Sequence, residues 1–161
     1  MMLALASFLE WCSNTRTIVY IRDSSFGMPA LQSVHLVGLT VLLGAIVVLN
    51  LRLAGASMID SSLPSLERQL RPWALAGVAV SIASGLVIFI GTPAKYLASN
   101  PFRFKMAMLC LAVLLQFVVL RRFFASDPGN RSRALNVIVA GLFLTLWFSI
   151  GWAGRAIAFV P

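Results

Sequence analysis

The sequence predicts an all-α integral-membrane protein: an up-down four-helix bundle with a short N-terminal interfacial helix. Three observations lead there. Of the 161 residues 60% are hydrophobic and only 11% charged, with a mean hydropathy of +0.91, whereas soluble domains are about half apolar and about a quarter charged. Four apolar runs are each long enough to cross the roughly 30 Å hydrocarbon layer of a bilayer. Basic and aromatic residues gather at the ends of those runs, as lipid head groups require. The length suits a single transmembrane domain over residues 1–161, with spans at about 28–53, 73–91, 102–124 and 134–159.

The opening segment, MMLALASFLEWCSNTR, has no basic n-region and no small-x-small cleavage site. It is too short to span, so it reads as a retained helix at the interface, anchored by Phe8, Leu9 and Trp11. The linker from Ser13 to Gly27 holds a β-prone run, Thr17 to Ile21, that lacks a partner strand and reads as helix or extended chain along the bilayer surface.

The first span, Met28 to Leu53, carries the only histidine. Pro29 reads as a first helical residue and Gly55 as the stop. At about 3.6 residues per turn, Met28, Leu31, Gln32, His35, Leu39, Leu42, Ile46, Leu49, Asn50 and Leu53 share one side. Polar groups are costly against lipid, so this side is expected to face other helices. Asn50, near the end of the span, is expected to reach the head groups.

The polar stretch Ser57 to Arg71 reads as a loop with a short surface helix, on which Glu67 and Arg71 are spaced to pair. Pro72 and Trp73 mark entry to the second span. There Gly77, Ser81 and Gly85 recur every fourth residue, a spacing that lets a neighbouring helix approach closely. Gly91, Thr92 and Pro93 end it, with Lys95 and Tyr96 at the surface. Asn100 and Pro101 read as an N-cap and first helical residue of the third span. Gln116 is its deepest polar residue, Arg121 and Arg122 close it, and residues 126–130 form a turn. The fourth span repeats the small-residue spacing at Gly141, Thr145, Ser149 and Ala153.

An up-down path brings Gln32, His35, Tyr96, Arg103, Lys105, Met106, Trp152 and Arg155 to one end of the bundle. His35 is a candidate axial ligand for the iron of haem b, with Met106 opposite, Gln32 and Trp152 alongside, and Arg103 and Arg155 on the propionates. The competing expectation is that His35 simply satisfies a hydroxyl or carbonyl inside the bundle, and that Arg155 and Trp152 are interfacial anchors.

The formal net charge of +8 belongs to the ends of the spans and points to lipid head groups rather than nucleic acid. Cys12 and Cys110 have no metal-ligand spacing and leave a disulfide open. No acidic residue or lysine falls mid-span, and there is no P-loop or HExxH, which argues against proton-coupled carriers, NTPases and hydrolases. The thirteen basic residues divide seven to six between the two faces. The arginines around the third loop favour termini on the periplasmic side.

The pieces HLVGLTVLLGAIVVLNLRLAG (35–55), RPWALAGVAVSIASG (71–85), NPFRFKMAML (100–109) and LWFSIGWAGRAIAF (146–159) resemble a family of small bacterial integral-membrane proteins of unknown function. The likeness spans nearly the whole chain. It implies a multi-pass protein of the bacterial inner (plasma) membrane and, more loosely, a similarity to haem-b and copper-resistance four-helix membrane domains. Family members often read Asp at the position of Asn50, and many place a second histidine where this chain has Leu120 and Arg121. The expected function is non-enzymatic: an accessory or anchoring subunit that packs against partner subunits or a second copy, with a place in a redox complex. Alternatives are a haem-b electron carrier using His35 and a small-solute channel or carrier.

Overall fold

A computed structural model describes residues 2–115 and 131–156. They form seven helices: α1 (Met2–Ser13), α2 (Arg16–Asp23), α3 (Gly27–Leu53), α4 (Leu63–Gly91), α5 (Pro93–Ala98), α6 (Asn100–Leu115) and α7 (Arg133–Ala156). No strand occurs among the described residues. Gln116, Leu120, Arg121, Arg122, the turn at 126–130 and the end of the fourth span fall outside them.

α3, α4 and α7 are each long and apolar enough to cross a membrane. At about 1.5 Å per residue, the 27 residues of α3 reach about 40 Å, more than the hydrocarbon layer. The described part of α6 is 16 residues.

The first linker is helical rather than extended. α2 turns directly into α3 through Ser24, whose Oγ accepts from Phe26 N (3.4 Å) and Gly27 N (3.2 Å). A Cβ at Gly27 would collide with the Ile21 carbonyl, so only glycine allows this turn. Pro29 is therefore the third residue of α3, not the first. At the other end, Gly55 adopts φ +72°. Its N–H donates to Arg52 O (3.0 Å), and Ala56 N donates to Leu51 O (2.9 Å). This paired closure satisfies the last carbonyls and stops the helix. Arg52 Nε donates to Ser61 O at 2.6 Å and ties the following loop to the helix end.

The polar stretch is corrected more substantially. α4 begins at Leu63, ten residues before the expected start, with Ser62 as N-cap accepting from Ser65 N at 3.4 Å. Pro64 occupies the first turn, where its missing N–H costs nothing. Leu63 and Leu66 are buried, which gives these turns an apolar anchor despite Glu67, Arg68 and Arg71. Pro72 lies inside the helix instead of marking its boundary. Membrane helices tolerate this where neighbours re-satisfy the freed carbonyl. Glu67 and Arg71 do not pair; the ion pair here is Arg22–Asp23, 3.0 Å apart.

α3 and α4 make the most extensive contact, followed by α6 with α7 and α3 with α7. The apolar core joins Leu42, Ile46, Leu49 and Leu53 of α3 to Leu63 and Leu66 of α4, Ala112 of α6, and Ala140, Phe143, Trp147 and Ile150 of α7. The inward side of α3 is the expected one, with two amendments. Asn50 is fully buried (0% exposed) rather than at the head groups, because α7 and the start of α4 cover this end of α3. Gln32 is exposed. It stands about 60° around the helix from His35, on the edge of the inward face.

The α3–α4 contact is antiparallel and runs along the small residues of α4. A Cβ at Gly77 would lie 2.8 Å from Gly38 O and Leu42 N, and one at Gly38 would lie 2.8 Å from Ser81 Oγ. A Cβ at Gly85 would meet His35 Cε1 at 3.2 Å, and one at Gly91 would meet Met28 Cε at 3.1 Å. The expected Gly77–Ser81–Gly85 stripe is thus the groove that receives α3. The corresponding stripe of α7 behaves otherwise: Gly141 and Thr145 are exposed, and only Ala153 is buried.

Candidate functional site

His35 sits in the close α3–α4 contact, one turn toward the α3 start from Gly38. Its Nδ1 is 3.0 Å from Ser84 Oγ, a contact joining residues 49 apart in sequence. Ser84 Oγ also lies 2.6 Å from Val80 O. A serine hydroxyl has one hydrogen, and a carbonyl can only accept, so that hydrogen goes to Val80. Ser84 Oγ must then accept from His35, which fixes the neutral imidazole with its proton on Nδ1 and leaves the Nε2 lone pair unused. Gly85 supplies the space for the ring.

Lys105 joins His35 from α6. Its Nζ passes over Gly154 of α7, where a Cβ would lie 3.3 Å away. Its charge acts on the His35 ring. The ammonium has no hydrogen-bond acceptor or counter-ion among the described residues. Two glycines on two different helices therefore make room for one imidazole and one ammonium.

On the aqueous side of this pair, Phe89, Tyr96 and Phe102 form an aromatic cluster, with Phe89 and Phe102 stacked at a centroid distance of 5.6 Å and an interplanar angle of 9°. Burial in this cluster raises the Tyr96 pKa above its ordinary value, partly offset by a hydrogen bond with the Thr92 side chain. Arg103 is engaged by the end of α5: its Nε and Nη2 donate to Leu97 O at 3.1 and 2.9 Å. Ser99, not Asn100, caps α6, accepting from Phe102 N at 3.4 Å.

Of the residues expected around His35, the structure gathers only some. Trp152 is 79% exposed and Met106 41% exposed, while Arg155 and Gln32 are also on the outside. The side chains that come to His35 are Ser84 and Lys105. Ser84 was not singled out by the sequence, although it adjoins the small-residue stripe. Spacing along one chain cannot announce a partner 49 residues away.

Elsewhere, Gly77 and Ser81 are sealed against α3, so those positions do not line a polar path with Thr145 and Ser149. Among the described residues, no group of three or more His, Cys, Asp or Glu side chains is placed to hold a metal ion. Cys12 and Cys110 are both free thiols.

A family model described as "Family of unknown function (DUF6644)" matches residues 2–160. No curated protein and no solved structure matches the chain.

Proposed function

We propose, for a chain that belongs to the family of unknown function DUF6644, a non-enzymatic role as an accessory or anchoring subunit of a membrane assembly. Four crossings form an up-down bundle in a bacterial inner membrane, with termini on the periplasmic side, and one face of the bundle packs against a partner subunit or a second copy. The observation that carries this reading is the contrast between the two small-residue stripes. The stripe on α4 is filled by α3. On α7, Gly141 would meet nothing within 4 Å, and Thr145 beside it is exposed. In lipid, helices associate through close backbone approach at small residues, so an unfilled stripe is a surface on which another helix packs well.

A photo-crosslinking residue placed at Thr145 in native membranes tests it. The reading expects one dominant adduct with a membrane protein or with a second copy, and none from Leu86, which is exposed but lies off both stripes. A chain that crosslinks only to lipid from both positions, and purifies from mild detergent as a lone monomer, would overturn it. A place in a redox complex remains the setting this reading favours. The second reading, a haem-b carrier, draws support from the open Nε2 of His35, whose other ring nitrogen is held by a hydroxyl as ligating histidines are. An absorption spectrum of the membrane-extracted protein, with His35→Ala as control, decides that reading.

A further inference from the structure

We infer that His35 and Lys105 together form a head-group site for an anionic phospholipid. Lys105 binds the phosphate oxygens, and a head-group hydroxyl, as in phosphatidylglycerol, donates to His35 Nε2. Three observations on different elements converge on this. The first is the ammonium: half-buried on α6 and carrying three donors, it has no acceptor among the described residues. The second is the imidazole, whose tautomer is fixed by the Ser84–Val80 hydrogen bond so that Nε2 can only accept. The third is the charge of the surroundings. Arg16, Arg22, Lys95, Arg103 and Arg155 lie at the same end as Lys105, against Glu10 and Asp23, and Asp23 is already paired with Arg22.

The site therefore asks for one anionic oxygen and one hydroxyl donor on the same small group. A free inorganic anion meets the first need only. A phosphodiester carrying glycerol meets both, and its acyl chains fit the surroundings, since Val34, Leu36 and Met106 are exposed apolar side chains near the two polar groups in sequence. Basic pockets between transmembrane helices bind anionic head groups by the same physics. Gly85 and Gly154 acquire a purpose in this account. Each leaves the space over which one of the two binding side chains lies.

The test uses the full chain in neutral detergent, offered an equimolar mixture of phosphatidylglycerol, phosphatidylmethanol and phosphatidylcholine, with retained lipid counted by native mass spectrometry. Phosphatidylglycerol should be retained about tenfold over phosphatidylcholine, the ratio of a single favourable charge contact of about 1.4 kcal/mol. Phosphatidylmethanol, with the same charge and no hydroxyl, should fall between them. Lys105→Met should bring all three to the phosphatidylcholine level, and Lys105→Arg should keep the anionic preference. His35→Leu should erase only the preference for phosphatidylglycerol over phosphatidylmethanol. Should Lys105→Met fail to fold, Gly154→Ala, which crowds the ammonium, is expected to weaken anionic retention in the same direction. Equal retention of the three lipids, or an unchanged preference in folded Lys105→Met, would overturn the inference. So would displacement of phosphatidylglycerol by millimolar inorganic phosphate, which assigns the site to a free anion, or by an isoprenoid quinone, which assigns it to an uncharged ring.

Discussion

Gly77→Ala is the sharpest probe of how α3 and α4 are held together. The new Cβ would stand 2.8 Å from both Gly38 O and Leu42 N, about 0.6 Å inside ordinary contact, and both atoms are backbone. No rotamer change relieves such a contact, so the two helices must separate locally. Overpacking of this kind costs about 1–3 kcal/mol. Separation also pulls the Ser84–His35 hydrogen bond apart, because the small-residue stripe and Ser84 lie on the same helix. Alanine recovers up to about 1 kcal/mol of helix propensity over glycine, which would blur a comparison with the unmodified protein. Gly44→Ala removes that ambiguity. It gains the same propensity on α3, where the Cβ would meet nothing within 4 Å. The difference between the two variants isolates the packing contribution, so Gly77→Ala should be about 1–3 kcal/mol less stable than Gly44→Ala. Reversible unfolding in mixed micelles, followed by far-UV circular dichroism, measures it. Equal stability of the two variants would refute the close α3–α4 contact.

Ser84→Ala removes the acceptor that fixes His35 and should cost about 0.5–1.5 kcal/mol in the same unfolding assay; nitrogen NMR of His35 should report protonated Nδ1 in the unmodified protein and a loss of that tautomeric bias in the variant. Asn50→Leu should be neutral or stabilising by about 1 kcal/mol, because Oδ1 is fully buried without a donor and Nδ2 bonds only to Ile46 O of its own helix, at 2.8 Å; a clear loss of stability would mean that a donor reaches Oδ1. Tyr96 should ionise above the ordinary phenol value of about 10. Because its folded pKa is raised, its contribution to stability is complete below that ordinary value and is lost as pH rises through the folded one; ultraviolet titration of the phenolate, with Tyr96→Phe to assign the signal, checks this.

Much of the fold can be read from the order of residues, and the reasons are physical. The bounds of α3 follow from an apolar run closed by Gly55, and Gly55 does adopt a positive φ of 72° there. The groove on α4 is legible because close approach in lipid requires small side chains, and Gly77, Ser81 and Gly85 stand in register. The start of α4 is less legible. Polar first turns look like a loop when the two leucines that anchor them, Leu63 and Leu66, are outnumbered by charge, and Pro72 reads as a boundary when it is a tolerated interior residue. The same spacing on α7 carries the opposite outcome, because a stripe of small residues states that a helix can approach, not that one from the same chain does. The site is legible only in half. His35 stands out as the single imidazole on an apolar face, but its partners Ser84 and Lys105 are defined by the α3–α4 and α6–α7 contacts. Gln32 and Asn50 occupy equivalent angles on α3, yet one is exposed and the other buried, since burial depends on which neighbour covers that end.

Everything rests on hydrocarbon surrounding α3 while its His35 side is packed against α4 and α7. Spin labels placed one at a time along residues 34–46 in liposomes, with collision rates measured for oxygen and for a water-soluble nickel chelate, test this directly. The account predicts negligible nickel access throughout, and oxygen access that peaks at Val34, Val37 and Val41 and dips at His35, Gly38, Leu42 and Ile46, with a period of about 3.6 residues. Nickel access along the segment, or oxygen maxima at the positions of His35, Leu42 and Ile46, would contradict it.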